Sequence, residues 1–227
     1  MNKVDWIFWQ KLLFCCEWVA VITGIAAWKQ VRNTRYKYFV AYLLFIAVGE
    51  LVAFNIGHHV STTINARLYN WLIIPIEFLF YYWFYYGLLT KPLHKKYCVV
   101  FAMASIVFRI LEYTVWSNEK FSFSSLSYLI SSVFLIALVM IYLAKFIRSD
   151  NIIYYHRHLD FWVTLGLLVY FLGSFPLYAF YNYLYIVEND FFIGYWKIQM
   201  ILNMLMYLIF SFAFIWTGIK HKYLYYS

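Results

Sequence analysis

Glu50 and Glu77 each sit about seven residues inside an otherwise apolar run of roughly twenty. An ionisable side chain at that depth is costly in a membrane, and marks ligand, ion or proton chemistry by default. Arg109 lies about seven residues before Trp116, and Asn203 about seven after Trp196. At 1.5 Å rise per residue, all four fall roughly 10 Å below the same boundary. Around them stand Glu17, His58, His59, Asn70, Glu112, Lys197 and Gln199. Acids at this depth can bind a cation or change their protonation, and amides can fill the remaining valences.

Helical spacing groups these residues into stripes. Glu50 aligns with Ala53, Gly57 and His58, Asn70 with Glu77, Arg109 with Glu112, and Gln199 with Asn203. Polar groups in lipid face the bundle interior or a wet cavity, so the stripes are expected to converge on an outward-opening polar pocket. Its ligand-binding candidates are Glu50, Glu77, Arg109, Asn203, Glu112, His58, Asn70, Gln199, Lys197 and Glu17. The competing reading is an ion-pair network of Arg109 with Glu112 or Glu77 and Lys197 with Glu50. Interhelical polar contacts are worth only about 0.6 kcal/mol each, little return for burying so many charges.

The elements that position these residues follow from composition. Of 227 residues, 65% are hydrophobic and 12% charged, which would cover a soluble domain in apolar patches. An integral membrane protein is expected. Stretches long enough to cross about 30 Å of hydrocarbon are Leu12–Trp28, Tyr38–Gly57, Asn70–Leu89, Tyr97–Trp116, Leu126–Ile147, Phe161–Tyr181 and Trp196–Ile219. Continuous apolar runs favour helices over the alternating ten-residue segments of a barrel. The reading is a single all-α, seven-helix transmembrane domain.

Lys29, Arg32, Arg35, Lys37, Lys91, Lys95, Lys96, Lys145, Arg148, Arg157, Lys220 and Lys222 fall on one side, and Lys3, Lys11, Arg67, Arg109, Lys120 and Lys197 on the other. The first set marks the cytoplasmic face, with the N-terminus outside and the C-terminus inside. The net charge of +8 then reflects topology, and implies no nucleic-acid partner. Glu17 and the basic loop from Lys29 to Lys37 oppose reading the first segment as a cleaved signal peptide.

Known chemistries find little support. Cys15 and Cys16 are adjacent and Cys98 stands apart, so no disulfide framework or zinc spacing arises. His156 and His158 flank Arg157 in the longest cytoplasmic connection, Arg148 to Asp160, and read as solvated side chains rather than metal ligands. No His-Glu-x-x-His, Gly-x-Ser-x-Gly or Cys-x-x-Cys motif is present, so neither an enzyme nor a cofactor is expected. The longest outer connection runs from Asn182 to Tyr195, with Glu188 and Asp190.

Packing signals complete the picture. Gly166 and Gly173, seven apart in the sixth helix, predict close helix contact, and Pro176 a kink. Pro75, two residues before Glu77, frees a backbone carbonyl in the turn above that acid. The cluster Tyr81 to Tyr86 and the tail Tyr223, Tyr225 and Tyr226 read as interfacial belts and packing.

The segment Phe161-Trp162-Val163-Thr164-Leu165-Gly166-Leu167-Leu168-Val169-Tyr170-Phe171-Leu172-Gly173-Ser174 and the run Ile201-Leu202-Asn203-Met204-Leu205-Met206-Tyr207 resemble the last two helices of a family of small seven-helix proteins in Bacteroidota. The region of Glu50 and Glu77 is similar too. In that family the helices occur alone or as the membrane part of sensor histidine kinases, so the resemblance implies a sensing role. The expected function is a receptor-like sensor that takes a small ligand, cation or proton and signals to a separate cytoplasmic partner. The alternative is a transporter or channel using the same acids, followed by a structural subunit in which the cluster is only an internal network.

Overall fold

A computed structural model describes residues 3–116, 125–180 and 189–224. Among the described residues every regular element is helical. The order is α1 Lys3–Ala26, α2 Trp28–Val31, α3 Tyr36–His59, α4 Thr62–Leu68, a π-helical turn Tyr69–Ile73, α5 Ile74–Leu88, α6 Pro92–Trp116, α7 Ser125–Ile147, a 3-10 segment Asp150–Arg157, α8 Leu159–Ala179 and α9 Asn189–Leu224. Of the sequence expectations, Lys120, Tyr181, Asn182, Glu188, Tyr225 and Tyr226 lie outside the described residues.

Six of these helices are long and apolar enough to cross a membrane: Trp6–Ala26, Tyr36–His59, Pro92–Val115, Leu126–Ile147, Leu159–Ala179 and Phe191–Trp216. They coincide with six of the seven expected spans, and the differences are at the ends. α6 begins five residues before Tyr97, because Pro92 is preorganised for the first helical position. α9 begins inside the expected outer connection, so Asn189 to Tyr195 is helix rather than loop. α8 continues past Pro176 to Ala179, one turn further.

The expected third span, Asn70–Leu89, is built differently. Its α-helical part, α5, has 15 residues and reaches only about 22 Å. The rest is the five-residue π turn, which follows α4 without a break. The interruption sits just before Pro75, the residue that removes a backbone donor.

The chain divides into two compact units. The first comprises Met1–Glu50, Leu143–Gly173 and Lys197–Ser227. Its helices meet where side chains are smallest. A β-carbon on Gly166 would stand 2.8 Å from the Phe210 ring, and one on Gly173 would stand 2.6 Å from Leu202. Gly24 is slightly less tight, with a β-carbon there 3.0 Å from Val40 and 3.4 Å from Phe214. The Phe39 ring packs edge-on against Phe210 at 5.2 Å, and both are fully buried. The glycines thus bear out the close packing expected of the sixth span.

The second unit comprises Leu51–Tyr142 and Ser174–Trp196. Its core is aromatic. Tyr81, Tyr82, Phe84 and Tyr85 of α5 are all fully buried, while Trp83 and Tyr86 are exposed. The run of rings therefore supplies more packing than interfacial belt, since i, i+3 and i+4 spacing turns most of it inward. Phe78 meets Tyr128 edge-on at 5.3 Å, and Tyr128 lies 4.0 Å from Tyr178.

Candidate functional site

The π turn creates the site. Within it the Ile74 N–H donates to the Tyr69 carbonyl, five residues back. The next rung of that ladder would bring the residue 75 N–H to the Asn70 carbonyl, but residue 75 is proline and has none. Arg109 supplies the donor instead. Its Nη1 donates to the Asn70 carbonyl oxygen at 2.7 Å, and the side chain is only 7% exposed. Buried carbonyls require partners, and a charge-assisted bond is roughly twice as strong as a neutral one. The carbonyl that Pro75 frees is thus held by a cation from the next helix.

Glu112, one turn beyond Arg109 on α6, has a different task. Its two carboxylate oxygens accept from the backbone N–H groups of Leu126 at 3.1 Å and Ser127 at 2.8 Å. These belong to the first turn of α7, whose N–H groups have no partner within the helix. A carboxylate there also meets the positive end of the helix dipole. Glu112 shares a stripe with Arg109, as expected, but serves as the cap of α7.

A second polar cluster lies one turn before Arg109. The Tyr82 hydroxyl donates to the Ser131 carbonyl at 3.0 Å and lies 2.8 Å from the Ser105 hydroxyl. Since Tyr82 spends its proton on the carbonyl, Ser105 is the donor in the second bond. Ser131 directs its own hydroxyl to the Ser127 carbonyl at 2.8 Å. One phenol thereby links α5, α6 and α7. Neither Ser105 nor Ser131 stands out in the sequence, because serine in an apolar helix is common. The signal was the four-residue spacing of Ser105 and Arg109, which puts them on one face.

Between the two clusters lies a cavity of about 160 Å3. Arg109, Tyr82, Ser105 and Ser131 contribute its polar wall. Trp71, Pro75, Phe78, Leu79, Ile106 and Ile110 contribute the apolar remainder. Mostly apolar lining with a few convergent polar groups is the usual make-up of a small-molecule site.

The other expected residues fall as follows. Glu77 is half-buried in the first turn of α5, and does not line this cavity. His58 is exposed at the end of α3, with its ring stacked on Phe54 at 4.2 Å and Nδ1 3.2 Å from the Phe54 carbonyl. Glu50, Glu17, Lys197, Gln199 and Asn203 belong to the first unit, whereas Asn70, Glu77, Arg109, Glu112 and His58 belong to the second. Glu17 is buried, and Glu50, Lys197, Gln199 and Asn203 are half-buried. Within the second unit the Arg109 and Asn70 stripes meet through the Asn70 backbone.

Comparison of the chain with protein-family models, with curated proteins and with solved structures finds no match. The fold and site define an all-helical membrane protein with a small cavity walled by one arginine and a hydroxyl cluster.

Proposed function

We propose that the protein is a receptor-like membrane sensor in which a ligand at the Arg109 cavity is reported through the π turn. The observation that carries this reading is the Arg109 bond to the Asn70 carbonyl. A ligand that competes for the guanidinium loosens its hold on a carbonyl in a non-α turn, and so biases how α4 and α5 join. That is a differential interaction with two states, which a ligand needs in order to shift an equilibrium. π-helical turns inside longer helices are frequent at functional sites.

In this proposal the helical stretch from Thr62 to Leu88 is a seventh span, with its π turn inside the membrane. The twelve-to-six division of basic residues supports an outer N-terminus and a cytoplasmic C-terminus, and a bacterial inner membrane is proposed from the family resemblance alone. The resemblance to the seven-helix family of Bacteroidota points to the same role, with a separate cytoplasmic partner as the output and no reaction catalysed.

Two measurements test the reading. Reconstituted vesicles are expected to show no proton or cation flux above empty ones, and flux abolished by Glu77→Gln would establish transport instead. A photo-crosslinker at Tyr154 in living cells is expected to capture a partner in a yield that changes with Arg109→Gln. An unchanged yield counts against sensing through this site.

A further inference from the structure

We infer that the Arg109 cavity is a lateral binding site for a single-chain anionic amphiphile, a carboxylate or phosphate head on an acyl tail, that enters from the hydrocarbon of the bilayer. This names the ligand class for the sensor proposed above, and rests on that reading only for its consequence.

The cavity opens on the lipid side. Trp71, Leu79, Ile106 and Ile110 line it and are 46, 38, 44 and 49% exposed. On helices buried in a bilayer, exposed apolar surface faces acyl chains, so the entrance is itself apolar. A water-soluble cation or sugar would have to shed its hydration to arrive this way.

Size points in the same direction. Sites that engulf a whole drug-sized ligand have about 300–1,000 Å3. A cavity of about 160 Å3 encloses only part of such a molecule. The remainder stays in the surroundings, which suits a tail that is already at home in hydrocarbon. Burial of each methylene in the apolar part is favourable, but hardly more so than leaving it in lipid. Specificity must therefore come from the head.

Arg109 provides it. A guanidinium has five N–H groups in a planar fork that matches carboxylate and phosphate oxygens, and Nη1 is committed to Asn70. Glu112, the acid on the same stripe, directs both oxygens to the start of α7. Arg109 lies six residues from Val115, the end of its span, about 9 Å along the helix. A single-chain head reaches that depth more readily than the phosphate of a two-chain lipid fixed at the interface. The hydroxyl cluster of Tyr82, Ser105 and Ser131 also lines the cavity but spends its hydrogen bonds internally.

Trp71 on the rim makes the site visible by fluorescence. In nanodiscs of phosphatidylcholine, dibrominated stearate is expected to quench in two parts, one proportional to bromine content and one saturable. The saturable part should disappear in Trp71→Phe, weaken at least about ten-fold in Arg109→Gln, and survive in Arg109→Lys, in line with the strength of charged hydrogen bonds. Phosphatidylglycerol with brominated tails tests the two-chain source of the same chemistry. If it alone gives the saturable part, the anionic amphiphile stands but its single chain does not.

Should Arg109→Gln fail to fold, Ile106→Phe fills the cavity with Arg109 intact, and is expected to remove the saturable part. A brominated long-chain alcohol should lack it. Purely proportional quenching in the parent protein, equal binding of the alcohol, or unchanged binding in Ile106→Phe overturns the site. Saturable binding that leaves backbone hydrogen exchange at residues 69–75 unchanged keeps the site and removes its sensing role.

Discussion

Arg109 and Asn70 are 39 positions apart in the chain, yet a guanidinium nitrogen of one donates to the backbone carbonyl of the other at 2.7 Å. The bond exists because residue 75 has no N–H to give, and because the turn before it has slipped from α to π spacing. A side chain has taken the place of a backbone rung.

That substitution predicts a coupling. Arg109→Gln should lower stability by about 1.5–3 kcal/mol, the usual range for hydrogen bonds to charged groups. Pro75→Ala restores a backbone donor near the same carbonyl and should make the arginine less necessary. In a double-mutant cycle followed by thermal unfolding in detergent, Arg109→Gln is expected to cost less in the Pro75→Ala background. The coupling should exceed about 0.5 kcal/mol. Additive effects would show that the arginine does not stand in for the missing rung.

Tyr82 should matter more than Ser105. Tyr82→Phe removes both the bond to the Ser131 carbonyl and the acceptor for Ser105, while Ser105→Ala leaves the carbonyl bond intact. Membrane hydrogen bonds average about 0.6 kcal/mol, so Ser105→Ala should cost about that and Tyr82→Phe about twice as much. Unfolding by a graded denaturing detergent gives the order, and a larger loss for Ser105→Ala would contradict the assignment of donors.

The glycines of α8 should differ in their tolerance. An added β-carbon at Gly166 meets a ring edge of buried Phe210, whereas at Gly173 it meets the methyl ends of Leu202. Leucine can change rotamer and a packed ring cannot readily withdraw. Both alanine variants should lose stability within the range of about 1–3 kcal/mol typical of overpacking, with Gly166→Ala the worse. Leu202→Ala should partly rescue Gly173→Ala and do nothing for Gly166→Ala, as read from melting temperatures.

Glu112 should matter chiefly as a cap of α7, although its charge also acts on Arg109. Glu112→Gln keeps one oxygen acceptor and Glu112→Ala keeps none. The expected losses are about 0.5 and 2 kcal/mol, the span measured for removal of helix caps. Amide exchange should rise first at Leu126 and Ser127. If it rises first at residues 69–75 instead, Glu112 works through Arg109.

Much of the architecture was legible because apolar length is a one-dimensional property. Six spans matched helices once the early starts of α1, α6 and α9 are allowed for. The third span was legible as apolar but not as broken, since a π turn carries no signature of its own beside Pro75. The freed carbonyl could be read from that proline, while its donor could not, because pairing over 39 positions depends on how α6 lies against the turn. Glu112 was read by its charge. Its use as a cap depends on where α7 begins, and Ser122, Ser124, Ser125 and Ser127 offer several equivalent helix starts. The aromatic run of α5 was ambiguous for a similar reason: rings suit an interface and a core equally well.

The cap made by Glu112 bears on how the chain enters its membrane. It joins residues only 14 and 15 positions apart, so α6 and α7 are fastened by a short-range contact. Contacts of low sequence separation close early, before distant helices have found one another. α6 and α7 can therefore leave the insertion machinery as a ready-made hairpin, with the first amides of α7 already shielded from hydrocarbon. The acid then also serves biogenesis, and its loss should be felt first in the yield of inserted protein.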